Sequence, residues 1–422
     1  GGTAGFSRAI TANNGTVTID AGGNITTAAV ANITAKNNVT IHATAGDVTT
    51  NGTVNSTDGN LIVTADAGDL NLIGALTTPT PTRTATLTAG NGKNITANNA
   101  GNQLNNVIIA AAAGTLNNVT LQNTRTTDLT LPTDIGGDLI VTVTGAGSDL
   151  TLVDVGPITV GGLIDLTAGK DLTTKSAMTS TNNDINMRAA KIVVEKELTA
   201  NGNVTITASW GEVTTYAVTS NVGNIEVTAH TDINAKGPYT ANGNAPGGRI
   251  TMMAGDDIIL DPAAGLIAKN LVDIYAGGDV TVNSDVTSTD GNIQMWAEGT
   301  MNVTGSTLTA GQHIALNAFT NMTLTDTSAD AGQDFSAILI DFFTPVPPGP
   351  ATYSGGKLTI TATNPGTDTI VAGRNLTIGN FAGQETPIVG GDVEIENVDL
   401  TATNTDNEGY LWLSGQGKLE LK

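Results

Sequence analysis

The chain has 422 residues and sets 39 Asp and Glu against 17 Lys and Arg, a formal charge of −22. Such an acidic surface repels phosphate backbones and excludes nucleic acid as a partner, and the lack of cysteine excludes a disulfide scaffold and all thiolate chemistry. With 51 Gly, 3% aromatics and no apolar run of about 18 residues, the composition predicts many short strands and tight turns, little helix and no membrane insertion.

The chain opens with Gly1-Gly2-Thr3 rather than Met, and reads as processed or as a fragment. From residue 17 one phrase recurs: apolar, polar, apolar, polar, Ala. It stands as Val17-Thr-Ile19-Asp-Ala21, Val39-Thr-Ile41-His-Ala43 and, with a different filling, Leu61-Ile-Val63-Thr-Ala65. It returns at Ile164, Val204, Ile225, Val272, Ile293 and Leu358. Period-2 alternation predicts a strand buried on one face. Val17, Val39 and Leu61 are spaced by 22 residues, and Ile250, Val272, Ile293 and Ile314 by 22, 21 and 21. A second short strand follows each phrase after a Gly-Asp turn (Asp47-Val48, Asp69-Leu70, Asp171-Leu172, Asp279-Val280), and a third follows in the clearest units, as at Thr53-Val54-Asn55.

Two or three short strands per 20–22 residues, without intervening helices, predict an all-β fold: a right-handed parallel β-helix, or solenoid, in which each strand stacks on its equivalent in the next coil. About 16–18 coils at roughly 4.8 Å would make a rod on the order of 80 Å long. The whole of 1–422 is expected to form one continuous rod, with a minor Thr/Pro loop at 77–86 and a larger Pro/Phe-rich loop at 329–357. Asn and Asp beside Gly at the corners are expected to tolerate left-handed backbone and to hydrogen-bond their own turns.

The corner phrase Ala-Gly-(x)-Asp/Asn-apolar occurs at 21–25, 45–48, 67–70, 168–172, 254–258, 276–280 and 372–376. With the period of about 20 residues, it resembles the repeat region of filamentous-haemagglutinin-like exoproteins, bacterial surface adhesins of the two-partner-secretion type. The resemblance implies a β-helical, secreted, cell-surface protein. The Asn-Pro-Asn motifs of that family's secretion domain are missing here; Asn364-Pro365-Gly366 is the nearest phrase.

Catalytic signatures are sparse. His42, His230 and His313 are far apart, and no nucleophile elbow or Walker-type loop is present. Asp256, Asp257 and Asp261 form the densest carboxylate group, but Asp257 falls at the recurrent corner, where a turn-forming role is expected. No cofactor is expected, although stacked corner carboxylates leave a structural calcium ion open. The twelve Asn-x-Ser/Thr triplets are expected to arise from composition.

The outward slot before the template Ala is filled by Asp20, His42, Thr64, Thr167, Thr207 and Thr228, and then in three successive coils by Met253, Tyr275 and Trp296. If the register holds, those three form an exposed apolar stripe, and such stripes mark contacts. A second contact is expected at Phe342, Phe343 and Tyr353 in the Pro-rich loop. A third, end to end, is expected at Phe6, Tyr410 and Trp412, where open solenoid edges would meet. These features predict a non-catalytic extracellular structural or adhesive protein, an adhesin shaft or a head-to-tail filament subunit. Its expected partners are copies of itself, neighbouring parts of a longer chain, or a host or environmental glycan or protein. The alternative is a carbohydrate-active β-helix, a polysaccharide lyase or glycosidase.

Overall fold

The computed structural model describes residues 2–244, 246–341, 358–363, 368–372, 376–382, 393–402, 411–414 and 419–421. Its chain is all-β, a parallel β-solenoid of about 16 turns with about 22 residues per turn. Two compact units, Gly1–Ser209 and Trp210–Lys422, follow the same plan.

In the first unit a representative coil comprises Val39–Ala43, Val48–Thr50 and Val54–Ser56. The next coil comprises Leu61–Ala65, Leu70–Leu72 and Leu76–Thr77. All three strand pairs are parallel, with Val39 opposite Leu61, Val48 opposite Leu70 and Val54 opposite Leu76. Residues 22 apart in sequence therefore lie one above another. In the second unit, Arg249–Ala254, Ile258–Leu260 and Leu266–Ala268 stack under Leu271–Ala276, Val280–Val282 and Val286–Ser288 in the same way.

Alternation decides which side chains enter the core. Val39, Ile41 and Ala43 are fully buried, while Thr40 and His42 between them face outward. The inward column Ile19, Ile41, Val63, Leu87 and Ile109 stacks branched side chain on branched side chain. Each buried Val, Ile or Leu contributes about 1.5–3 kcal/mol, so a narrow core can be filled without large aromatics.

The corners show why the repeat carries Asn or Asp. The Asn24 Oδ1 accepts the N–H of Asp47 at 3.0 Å, Asp47 Oδ1 that of Asp69 at 2.9 Å, and Asp69 Oδ1 that of Asn94 at 2.7 Å. Asn94, Asn118 and Asp138 continue the series. In the second unit Asp232, Asp257 and Asp279 accept from Asp257, Asp279 and Thr300. Where the chain bends out of one strand, a corner N–H turns away from the backbone ladder, and the side chain one coil below satisfies it. The expectation of self-contained, left-handed Asn/Asp turns is thus corrected. Among the described residues the non-glycine positive φ values belong to Asp326 and Asn397, neither of them in these two series. The same ladder accounts for sequons such as Asn24-Ile-Thr26, Asn38-Val-Thr40, Asn94-Ile-Thr96 and Asn118-Val-Thr120. In each, Asn holds the next coil's corner, the middle residue is buried, and Thr faces outward.

Two loop boundaries move. The Thr/Pro insertion occupies 78–83, because Leu76–Thr77 and Thr84–Ala89 are strands. The larger insertion does not begin at 329. Ser328–Ala331 pairs with Thr307–Ala310, and Phe335–Asp341 pairs with Ile314–Ala318. Buried Ala329, Ala331, Phe335, Ala337 and Leu339 supply the alternation that extends the sheets there. The remaining 342–357, with Phe342, Phe343 and Tyr353, lie outside the described residues.

Candidate functional site

The register expected of the outward slot holds in the second unit. Thr228 stands opposite Met253, Met253 opposite Tyr275, Tyr275 opposite Trp296, and Trp296 opposite Asn317. Met253 is 46% exposed and Tyr275 36%, whereas Trp296 is half-buried. Trp296 is covered in part by Phe319, whose ring meets it edge-on at 5.2 Å. The Trp296 Nε1–H is out of solvent without an acceptor in the protein. An unmet donor of this kind costs about 1–3 kcal/mol.

A second outward column runs beside the first: Thr251, Asp273, Gln294, Ala315, Ser336. Ala315 interrupts it with a short side chain, and a groove of about 510 Å³ opens over Asp273, Tyr275, Gln294, Trp296, Ala315 and Asn317. The Tyr275 hydroxyl donates to Glu298 Oε1, and this bond pushes the phenol above its ordinary value. Burial raises the Asp273 carboxyl, against the opposing pull of Arg249. Phe319 and Glu298 were not anticipated. Both stand just beyond the template Ala, at Ala318 and Ala297, where most coils carry a small residue, although Asp66 and His230 hold the same place. Trp210, 75% exposed and 5.7 Å from the His230 ring, occupies a comparable place after Ala208 and was also missed.

His42 does not share one column with the later templates of its own unit. The column Asp20, His42, Thr64, Thr88, Ala110 lies on one sheet. The column Gln122, Thr142, Thr167, Arg188, Thr207 lies on another. The five-residue strand changes face at Val119–Asn123, which stacks on the short strand Ile95–Ala97 rather than on Asn106–Ala111. Stacking registers backbone to backbone, so the long phrase can move round the coil without breaking any ladder. The expectation of a single outward column is corrected accordingly.

His42 is instead clamped between two carboxylates: Nε2 lies 2.8 Å from Asp66 Oδ2, and Nδ1 lies 3.1 Å from Asp20 Oδ1. The Asp66 hydrogen bond leads in raising the imidazole above its usual 6.5. A raised folded-state value stabilises the first unit fully below about pH 6.5, and that stabilisation fades as pH climbs through the folded value. The pair is partly solvated, so roughly 0.2–1 kcal/mol is at stake. Melting of wild type and His42→Gln at pH 5.5 and pH 8 should show the gap between them narrowing at the higher pH.

Asp257 serves the corner: its N–H donates to Asp232 Oδ1 at 3.1 Å, and its own Oδ1 accepts from Asp279 at 2.7 Å. Asp261 accepts the Ala264 N–H at its main-chain carbonyl, at 2.8 Å. Among the described residues no group of three or more His, Asp or Glu side chains is arranged to hold a metal ion, and no helix is long and apolar enough to cross a membrane. Phe6, half-buried, lies opposite Thr27 in the first unit. Trp412, 42% exposed, lies opposite Thr377 in the second. Tyr410 is outside the described residues. Comparison with protein-family models, curated proteins and solved structures returned no match.

Proposed function

We propose that the chain is a structural or adhesive extracellular surface protein, a β-solenoid shaft or filament subunit that acts through contacts rather than catalysis. The observation carrying this reading is the run of large side chains on one face, where three adjacent coils present Met253, Tyr275 and Trp296 as one outward column. The resemblance of the Ala-Gly-Asp corners to filamentous-haemagglutinin-like repeats supports the same reading. Stacked strands supply stiffness, and exposed columns supply partners. Antibody labelling of intact cells of the source organism should reach the chain; labelling that requires lysis would contradict a surface location. Negative-stain microscopy separates filaments from discrete shafts.

One observation favours a second reading, a carbohydrate-active solenoid. Asp273 is a half-buried carboxyl with a raised pKa in a groove, a setting that suits an acid catalyst. Depolymerisation of a polysaccharide that is lost in Asp273→Asn would establish it.

A further inference from the structure

We propose that the groove over Asp273, Tyr275, Gln294, Trp296, Ala315 and Asn317 binds an uncharged polysaccharide, with sugar rings lying against Tyr275 and Trp296. This inference rests on the reading of that face as a contact surface and names what it contacts.

Register is the first support. Tyr275 and Trp296 are direct cross-strand neighbours, so their rings rise from strands about 4.8 Å apart. They follow one another along the stacking direction, with Met253 next in line at one end. The negative face of an aromatic ring attracts the positive C–H edge of a partner, and a pyranose offers such edges on both faces. Phe319 backs Trp296 edge-on and holds the indole in place.

The polar groups supply the second. Gln294 and Asn317 carry amides that both donate and accept, and Asp273 and Glu298 bring carboxylates that accept from hydroxyls. Aromatic surface flanked by a few such groups matches a polyhydroxylated ring. Charge narrows the class further. Two carboxylates beside the groove, on a chain of net charge −22, repel uronate or sulfate groups. Size favours a small linear ligand over a protein face: about 510 Å³ falls within the roughly 300–1,000 Å³ of small-molecule sites. Ala315 lines the groove where the neighbouring coil has the longer Gln294.

The test is calorimetric titration of the full chain with cellohexaose, maltohexaose and chitohexaose as uncharged probes, and with a hyaluronan hexasaccharide as the anionic one. Saturable binding of at least one uncharged probe is expected, with the anionic probe weaker. Trp296→Ala and Tyr275→Ala should each weaken that binding by about tenfold or more. Tyr275→Phe keeps the ring and should retain it. Ala315→Tyr fills the groove from an outward position and should abolish binding, so the proposal stays testable if Trp296→Ala fails to fold. The proposal is overturned if no uncharged probe binds, if the anionic probe binds best, or if the alanine variants bind like wild type. It is also overturned if binding arises only after residues 342–357 are deleted, since the chain's own segment would then be the occupant. Cleavage of a bound probe would leave the groove assignment standing and defeat the non-catalytic reading. Surface labelling without any binding would do the reverse.

Discussion

Tyr239→Ala is expected to destabilise the second unit by about 3–5 kcal/mol, read as a melting temperature lower by on the order of 10 °C. Tyr239 is the largest side chain among the fully buried residues, inward-facing on a strand that stacks between Val218–Ser220 and Leu266–Ala268. Coils above and below fix the backbone, so they cannot collapse into the space a truncated ring would leave. Its hydroxyl is hydrogen-bonded to Thr215 Oγ1. Burial dominates the phenol's titration and pushes it up to about 12 from 10.0, while the Thr215 bond pulls the other way. The sign follows from linkage: the unfolded chain loses this proton first, so stability is intact below about pH 10 and is lost progressively towards pH 12. Tyr239→Phe keeps the packing, costs about 1 kcal/mol for the orphaned Thr215 hydroxyl, and should flatten the alkaline limb of a melting-temperature profile.

Gly68→Ala is expected to cost about 1–3 kcal/mol, a large effect for one methyl group. A Cβ at Gly68 would stand 2.2 Å from the Gly46 carbonyl oxygen and 2.4 Å from its carbon. Both are backbone atoms of the coil beneath, so relief requires the corner to open and puts the Asp47-to-Asp69 bond at risk. Gly15→Ala is the matched control. Nothing lies within 4 Å of a Cβ there, and its melting temperature should barely move. If the two variants melt alike, the corners are not packed coil on coil.

Much of this fold could be read from alternation and spacing. Val39-Thr-Ile41-His-Ala43 names its own buried side chains, and the 22-residue interval to Leu61 names the residue stacked on each. The Met253, Tyr275 and Trp296 column followed from the same arithmetic because the long strand stays on one sheet through those coils. Where the long strand changes face, at Val119–Asn123, phrase-matching failed. His42 and Thr167 fill the same slot of the phrase yet belong to different sheets, since a solenoid registers strands by position in the coil and not by wording. The corner carboxylates and amides were visible as residues, but their partners were not. An Asp that bonds its own turn and one that bonds the next coil look alike in a single repeat. The groove was hidden because its lining comes from three coils, including Ala315, a residue notable only beside what its neighbours carry. Phe319 and Glu298 had a signal that could have found them: a large or charged residue directly after the template Ala.

Met253, Tyr275 and Trp296 stand as stacked neighbours in three adjacent coils, and engineered cysteine pairs can read that stacking without interference because the chain has no cysteine of its own. Adjacent parallel strands place equivalent Cα atoms about 4.8 Å apart, within disulfide reach, and strands two coils apart about 9.6 Å, beyond it. In dilute protein oxidised under mild conditions, Met253→Cys with Tyr275→Cys and Tyr275→Cys with Trp296→Cys should each form an intramolecular disulfide. Met253→Cys with Trp296→Cys should not. Cross-linking of the 253–296 pair, or a folded protein in which neither adjacent pair closes, would contradict the stacked column on which the contact surface depends.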